Sequence, residues 1–320
     1  SSALPERKTA DEIFSFLETE LIECSDDMLD ADNAIYGRAP RAAAWMLLAR
    51  MYLNAPTYNA GEHYAESMTY TRKVMDEGYA LESDYAKLFN ADNHKRVGKG
   101  NEIIFPLVVD SRYVMSWGAT TYLICGQVDT DYGPSASNFG VSDAWSMFRI
   151  RGEVPALFDM ENDDRAMFYT DGQSQYMNSG IDARNEGYFV TKWSNLTDDG
   201  TTASNTSSDG VDTDFPMFRL ADAYLMYAEA AVRSNSDLSV ALGYVNELRI
   251  KRNAPQVTEE EIKATVDDIP YKFFLDERAR ELYWEGVRRT DLIRFDAFTS
   301  DKYIWQWKGG VADGKAINSK

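Results

Sequence analysis

Apolar residues recur at spacings of three and four near the start of the chain, which predicts an amphipathic helix over residues 11–28. The stripe consists of Ile13, Phe16, Leu17, Leu21, Cys24 and Met28. Thr9 and Glu12 have the spacing of a capping box, in which the hydroxyl and the carboxylate each bond a backbone amide at the helix start. The sequence therefore predicts that this helix begins directly after Thr9.

A second helix is predicted after Pro40, and a third over residues 62–77. The predicted buried side of the second helix carries Ala44, Leu47, Leu48, Met51 and Tyr52. Residues 54–61 are short and rich in turn-forming side chains, which is typical of a tight connection. We therefore expect the two helices to form an antiparallel helical hairpin.

The same pattern returns near the end of the chain. Thr258 and Glu261 form a second capping-box pattern, and Gly286 is expected to end the helix that precedes it. The run AYLMYAEA at 223–230 resembles a tetratricopeptide helix, although no clean period of about 34 residues is present. Helices are predicted over 218–233, 239–253, 271–284 and 287–296.

The middle of the chain has a different character. Residues 103–109 and 188–193 are short and β-rich, and Pro106 indicates an edge strand. Residues 111–145 read as a long loop that carries several aromatic side chains, and residues 195–214 as a polar surface loop. The predicted fold class is mainly α, with helical hairpins that support an irregular, loop-rich region with little β structure.

The composition of the chain disfavours several classes of function. The chain has 320 residues, of which 44% are hydrophobic, and a net charge of -19, which disfavours nucleic acid as a partner. It contains only two cysteines, Cys24 and Cys125, and two histidines, His63 and His94. The chain therefore has few residues from which a thiolate or imidazole metal site, or a His-based catalytic triad, could be built. No apolar run is long enough to span a bilayer, and a signal peptide is not expected.

The aromatic loop offers the clearest candidate chemistry. Trp117, Tyr122 and Trp145 are large, flat side chains with polar handles, and such rings can cover the C–H face of a sugar. The alternative is that they only pack the loop onto the helices. The residues alone leave both interpretations open.

Acidic residues permit two further hypotheses. A glycosidase needs a pair of carboxylates, and such pairs are found among Asp159, Glu161, Asp163 and Asp164, although adjacent acids in an acidic chain are usually a solvated turn. Asp209, Asp212 and Asp214 have oxygen ligands suited to calcium, but their order does not match an EF-hand loop.

Residues 274–295 read FLDERARELYWEGVRRTDLIRF, with acids and bases at helical spacing that predict a salt-bridged helix. This segment also resembles a signature of the SusD/RagB family, and above all of its starch-binding branch. Further similar stretches are GRAPRAAAWMLLARMYLN, NEIIFP, DFPMFRLADAYLMYAE and YIWQWKGG.

The resemblance implies a non-enzymatic lipoprotein on the external face of the outer membrane in Bacteroidetes. It implies a fold of tetratricopeptide-like helix pairs around an irregular glycan-binding half. The expected function is capture of starch-like α-glucan oligosaccharides and their delivery to a TonB-dependent transporter. The membrane would be contacted only through an N-terminal lipid anchor. Two rival hypotheses are a tetratricopeptide scaffold that binds a protein and a glycoside hydrolase.

Family members usually begin with a signal peptide, a lipidated cysteine and a long N-terminal part, so the chain is expected to be a fragment that resembles their middle and C-terminal parts. The stripe of the first helix is then expected to be partly exposed. We expect one SusD-like domain over 1–320, with helix hairpins at 9–90, a glycan-binding region at 101–215 and C-terminal helix pairs at 216–320.

The resemblance also suggests site residues. The segment 116–118, which contains Trp117, falls where the starch-binding branch has a stacking tyrosine, and Trp145 falls on a stacking tryptophan. Together with Tyr122 these are the predicted glycan-binding residues. The resemblance also suggests a calcium ion, held by Asp212, Asp214 and Asp92. The family has a carboxylate at the position of His94, and Asp92 lies two residues from it. No other cofactor is implied.

Overall fold

The computed structural model describes residues 6–114, 116–180, 182–203 and 210–317. Within these ranges the fold is mainly helical, as predicted, and none of the helices has the length and apolar composition needed to cross a membrane. The helices are α1 (Ala10–Asp27), α2 (Arg41–Leu53), α3 (Tyr64–Asp76), α4 (Ala119–Gln127), α5 (Leu220–Arg233), α6 (Leu238–Lys251), α7 (Glu259–Lys263), α8 (Lys272–Leu282) and α9 (Arg288–Arg294).

Six short strands form three antiparallel pairs in the described residues. The first pair joins the two ends of the loop-rich region, with Pro106 opposite Pro216 and an irregular register, so neither proline has an amide to donate at that position. The prediction of little β structure is confirmed. The pairs are β1 (Ile103–Leu107) with β4 (Phe215–Arg219), β2 (Phe168–Tyr169) with β3 (Phe189–Val190), and β5 (Thr265–Val266) with β6 (Ile269–Pro270).

Helix α1 begins where the capping box predicts. The Thr9 hydroxyl accepts from the Glu12 amide at 3.2 Å, and the Glu12 carboxylate accepts from the Thr9 amide at 2.8 Å. The helix contacts α2 through Phe14, which is buried and packs near Tyr52. The predicted stripe is partly exposed, as expected, with relative exposures of 47% for Ile13, 61% for Phe16 and 42% for Leu17.

Helices α2, α3 and α5 enclose the first part of the core. Ala42, Ala43 and Ala44 are buried, and their small side chains let α2 approach its neighbours closely. The predicted hairpin of α2 and α3 is confirmed. The assignment of Leu47 to the buried side was wrong, because this residue faces solvent on the side next to α1.

The predicted loop at 111–145 contains a helix, α4, that the sequence analysis missed. Its sequence, ATTYLICGQ, is rich in threonine and ends beside glycine, so its helical propensity is low. Tertiary contacts stabilise it: the Thr120 hydroxyl donates to the Thr213 carbonyl at 2.6 Å, and the Gln127 amide donates to the Trp193 carbonyl at 2.5 Å. Ile124 lies in the core beneath it.

Helix α8 ends earlier than predicted. The expectation that it runs to Trp284 and stops at Gly286 was wrong, because the last helical residue is Leu282. Tyr283 is extended and donates its hydroxyl to the Arg165 carbonyl at 2.8 Å, and Trp284 has a positive φ of 60°. The chain thus turns out of the helix before Gly286 is reached.

A set of buried charged residues lies at the centre of the molecule, where it connects α6, α8, β4 and the loops. We call it the central ion-pair network. Glu281 of α8 accepts from Arg252 at 3.0 Å and from Arg165 at 3.2 Å, and also pairs with Arg219. The full set is Glu102, Asp163, Arg165, Lys192, Arg219, Arg249, Arg252, Glu277, Glu281 and Glu285.

This network corrects part of the prediction that residues 274–295 form a salt-bridged helix, because only some of the expected pairs form along it. Glu277 does pair with Arg280 at the expected spacing, at 2.7 Å. Glu281 and Glu285 instead face inward, and Glu285 accepts from Lys192 at 2.6 Å and from Arg219 at 2.7 Å. The acidic residues of this segment therefore form ion pairs in the interior of the protein.

Burial and pairing oppose each other in the network. Burial alone would raise the pKa of Glu281, but the charges of Arg252, Arg219 and Arg165 hold it below its ordinary value. For Lys192, burial is the larger effect and lowers the pKa to about 8, although Glu285 favours the charged form. The network is thus stable only as a complete set of partners.

We expect Glu281→Gln to lower the free energy of unfolding by about 3–5 kcal/mol, because it leaves buried arginines without a matching charge. The control is Glu259→Gln, which removes an exposed pair with Lys263 and should cost less than about 1 kcal/mol. Urea denaturation of both variants gives the two values. Equal, small losses would show that the network contributes no more than a surface ion pair.

Acid should destabilise the fold through the same residues. Burial would raise the pKa of Glu277, but Arg165, Arg280 and Arg249 lower it from 4.5 to about 2. A depressed pKa contributes stability above pH 4.5 that is lost as the pH falls towards 2. Urea midpoints measured over this range should fall with pH, and less steeply in Glu277→Gln. An unchanged slope in the variant would contradict this assignment.

Candidate glycan-binding site

Three predicted residues of the aromatic loop come together on the surface. The ring centroids of Trp117 and Trp145 are 6.0 Å apart, and those of Tyr122 and Trp145 are 6.2 Å apart. Trp117 is 58% exposed, Tyr122 is 39% exposed and Trp145 is half-buried. We call these three rings the aromatic surface. None of the rings is parallel to the next, with interplanar angles of 37° and 57° along the series.

Helix α4 and its flanks position these rings. Tyr122 lies in the helix itself, and Trp117 precedes it in a turn in which the Gly118 amide donates to the Ser116 hydroxyl at 3.0 Å. Trp145 returns to the far end of the helix, where its amide donates to the Cys125 carbonyl at 2.9 Å. Residues 28 positions apart in the sequence are therefore held side by side.

Two further aromatic residues support the surface from behind, and sequence reasoning missed both. Phe148 packs edge-on against Tyr122 at 4.7 Å, and Trp284 packs against Phe148 at 5.6 Å. Gly126 makes this packing possible, because a Cβ atom there would lie 2.2 Å from the Phe148 ring. Trp284 belongs to the signature segment, but its assignment to a helix concealed this role.

The site also has polar groups. The indole Nε1 of Trp145 donates to the Asp143 carboxylate at 3.2 Å, and Asp143 is exposed. A flat ring beside an exposed carboxylate can bury the apolar face of a sugar while the acid accepts a hydroxyl proton. The arrangement is therefore suited to binding a sugar.

The predicted calcium ligands are engaged in hydrogen bonds or ion pairs within the fold. Asp214 is buried, which raises its pKa, and its carboxylate accepts from the Tyr36 hydroxyl at 2.5 Å and the Val109 amide at 2.9 Å. Asp212 accepts from the Ser111 hydroxyl at 2.7 Å. Asp92 pairs with Lys95 at 2.9 Å.

Across the part of the chain that the structure describes, no group of three or more His, Cys, Asp or Glu side chains is gathered as a metal site. Asp209 lies outside the described residues. Calcium binding by Asp212, Asp214 and Asp92 therefore stays a prediction.

The carboxylates considered for hydrolysis have structural partners. Asp159 accepts from the Glu161 amide at 3.1 Å and the Asn162 side chain at 3.0 Å, which is a surface turn. Asp163 is buried and forms a two-point pair with Arg165 in the central ion-pair network. Neither is in contact with the aromatic surface in the described hydrogen bonds.

Residues 50–316 match the model of the SusD family. The chain is also 34% identical over its whole length to the starch-binding protein SusD of Bacteroides thetaiotaomicron. The chain belongs to the SusD family. It is 26% identical over 95% of its length to a SusD-like protein of Bacteroides ovatus. The chain spans 63% and 55% of the length of these two relatives.

Solved structures of SusD proteins share the fold. A SusD superfamily protein of Parabacteroides distasonis superposes with a TM-score of 0.67 at 20% identity, over 99% of this chain and 66% of that one. Surface glycan-binding protein A of Bacteroides thetaiotaomicron, in complex with laminarihexaose, gives a TM-score of 0.68 at 19% identity, over 96% of this chain and 65% of that one. The predicted SusD-like fold is thereby confirmed.

If calcium binds as the family resemblance implies, millimolar calcium should raise the melting temperature relative to a chelator, because a ligand that binds only the folded state stabilises it. The matched control is Asp212→Asn, in which the calcium-dependent rise should disappear. Identical melting curves for the unaltered protein with calcium and with chelator would contradict the predicted site.

Proposed function

We propose that this SusD-family protein binds a neutral glycan on the aromatic surface and releases it uncleaved. The observation that carries this proposal is the cluster of Trp117, Tyr122 and Trp145, in which Trp117 and Tyr122 are exposed, Trp145 is half-buried and Tyr122 is supported from behind by Phe148. An exposed apolar patch on a folded chain is a recognised mark of a binding site. The alternative interpretation, that these residues only pack the loop, accounts for the contact of Tyr122 with Phe148. It does not explain why Trp117 is exposed.

We further propose a starch-like α-glucan as the ligand. One relative of this chain is named a starch-binding protein, while a structural neighbour holds laminarihexaose, so relatives differ in the glycan they take. The higher identity is to the starch-binding relative. The net charge of -19 favours neutral glycans, because an anionic polysaccharide would be repelled.

The proposed setting is the external face of the outer membrane, where the protein would deliver oligosaccharide to a TonB-dependent transporter. Family membership supports this proposal, and a lipid anchor would supply the contact with the membrane. Co-purification of the transporter with the tagged protein from its own membranes tests it. Recovery of the protein without any transporter would contradict this part of the proposal.

Two rivals are separated by simple assays. A glycoside hydrolase would release reducing sugar from starch, which the partners of Asp159 and Asp163 argue against. A tetratricopeptide scaffold would be retained by a protein partner and not by insoluble starch. We expect retention on starch with no increase in reducing ends.

Replacement of Trp145 by alanine should remove most of the α-glucan binding, with a loss of about 2 kcal/mol or more, because Trp145 touches both other rings of the aromatic surface. Calorimetry with maltoheptaose measures the loss. The matched control is Tyr58→Ala, since Tyr58 is 41% exposed but lies beside α2, away from the aromatic surface. Unchanged affinity in a folded Trp145→Ala protein would overturn the site.

A further inference from the structure

Tyr132 is a further exposed aromatic residue outside the aromatic surface, and a tight loop fixes its backbone. The Asp129 carboxylate accepts from the amides of Asp131 at 2.9 Å and Tyr132 at 3.0 Å, and the Asp129 amide donates to the Pro134 carbonyl at 3.3 Å. A Cβ atom on Gly133 would lie 2.8 Å from that of Asp129, so the loop closes tightly. The Tyr132 residue is nevertheless 47% exposed.

A guanidinium group is fixed beside this ring. The Arg184 Cζ atom lies 5.2 Å from the centroid of the Tyr132 ring. Arg184 is held by the buried Asp129 at 3.1 Å and by the exposed Asp131 at 2.7 Å. Gln173 adds a hydrogen bond to the Tyr132 carbonyl at 2.8 Å. An exposed ring, a cation and a carboxylate are therefore held together in one place by several contacts.

The carboxylate of Asp129 also connects the Tyr132 loop to the segment that carries Trp145. Ser146 directly follows Trp145, and its amide donates to the Val128 carbonyl at 3.0 Å. The Ser146 hydroxyl is also a hydrogen-bond partner of Asp129 and helps to lower the pKa of that carboxyl, which burial would otherwise raise. Asp129 thus positions Tyr132 and Arg184 next to the strand of chain that carries Trp145.

We propose that Tyr132, Arg184 and Asp131 form a second sugar subsite that continues the aromatic surface. The face of the ring opposite Arg184 would stack on the apolar face of a sugar unit, while the guanidinium donates to hydroxyl groups and the carboxylate accepts from them. The ligand is then an oligosaccharide long enough to reach both places, and affinity should rise with chain length. This inference rests on the proposed function and extends the same site.

Chain-length dependence tests the second subsite. Calorimetry with the trisaccharide and the heptasaccharide of the maltose series, and with laminarihexaose, is run on the unaltered protein, Tyr132→Ala and Tyr132→Phe. We expect Tyr132→Ala to weaken heptasaccharide binding about tenfold and to leave trisaccharide binding unchanged. Tyr132→Phe keeps the ring and should bind like the unaltered protein, and Tyr58→Ala is the control for loss of an exposed tyrosine elsewhere.

The outcomes separate this inference from the proposed function. If Trp145→Ala loses binding while Tyr132→Ala binds the heptasaccharide normally, the second subsite is overturned and the proposed function stands. Equal losses for both chain lengths in Tyr132→Ala would also overturn it, because they indicate a distorted aromatic surface. If the unaltered protein binds none of the three sugars, the proposed function itself fails.

Discussion

The interaction on which the rest of the structure depends is the pairing of Glu281 with three buried arginines. Arg219 ends β4, Arg252 follows α6 and Arg165 lies in the loop-rich region, so one carboxylate on α8 joins three distant parts of the chain. Charges buried this deeply are tolerated only when every one is matched. The positions of the helices and of the loops that carry the site are therefore coupled through a single side chain.

Local patterns predicted the helices well, because capping boxes and apolar periodicity are encoded within a few residues. Thr9 with Glu12, and Thr258 with Glu261, start helices as expected. Where tertiary contacts determine the structure, the sequence pattern alone did not predict it. Helix α4 has low intrinsic propensity and forms because its side chains bond distant carbonyls, and Glu281 has helical spacing to other charges but its partners lie up to 116 residues away.

The candidate site likewise has features that the sequence predicts and features that depend on tertiary packing. The residue types of Trp117, Tyr122 and Trp145 indicate sugar stacking from the sequence, and their proximity in the structure agrees with that hypothesis. The support behind Tyr122 could not be predicted, because Phe148 reaches Tyr122 only where Gly126 leaves room, and Trp284 comes from the turn that follows α8. Such contacts depend on the packing of separate segments, which spacing along one chain does not reveal.

The row of rings from Trp284 through Phe148 to Tyr122 has a consequence for how a ligand would be received. Aromatic side chains have only two rotatable bonds, and here the inner rings fill the space into which Tyr122 could turn. The Tyr122 ring is thus already held in one orientation before a ligand arrives. Association would then lose little side-chain entropy, so even a shallow, open patch can retain a flexible polymer.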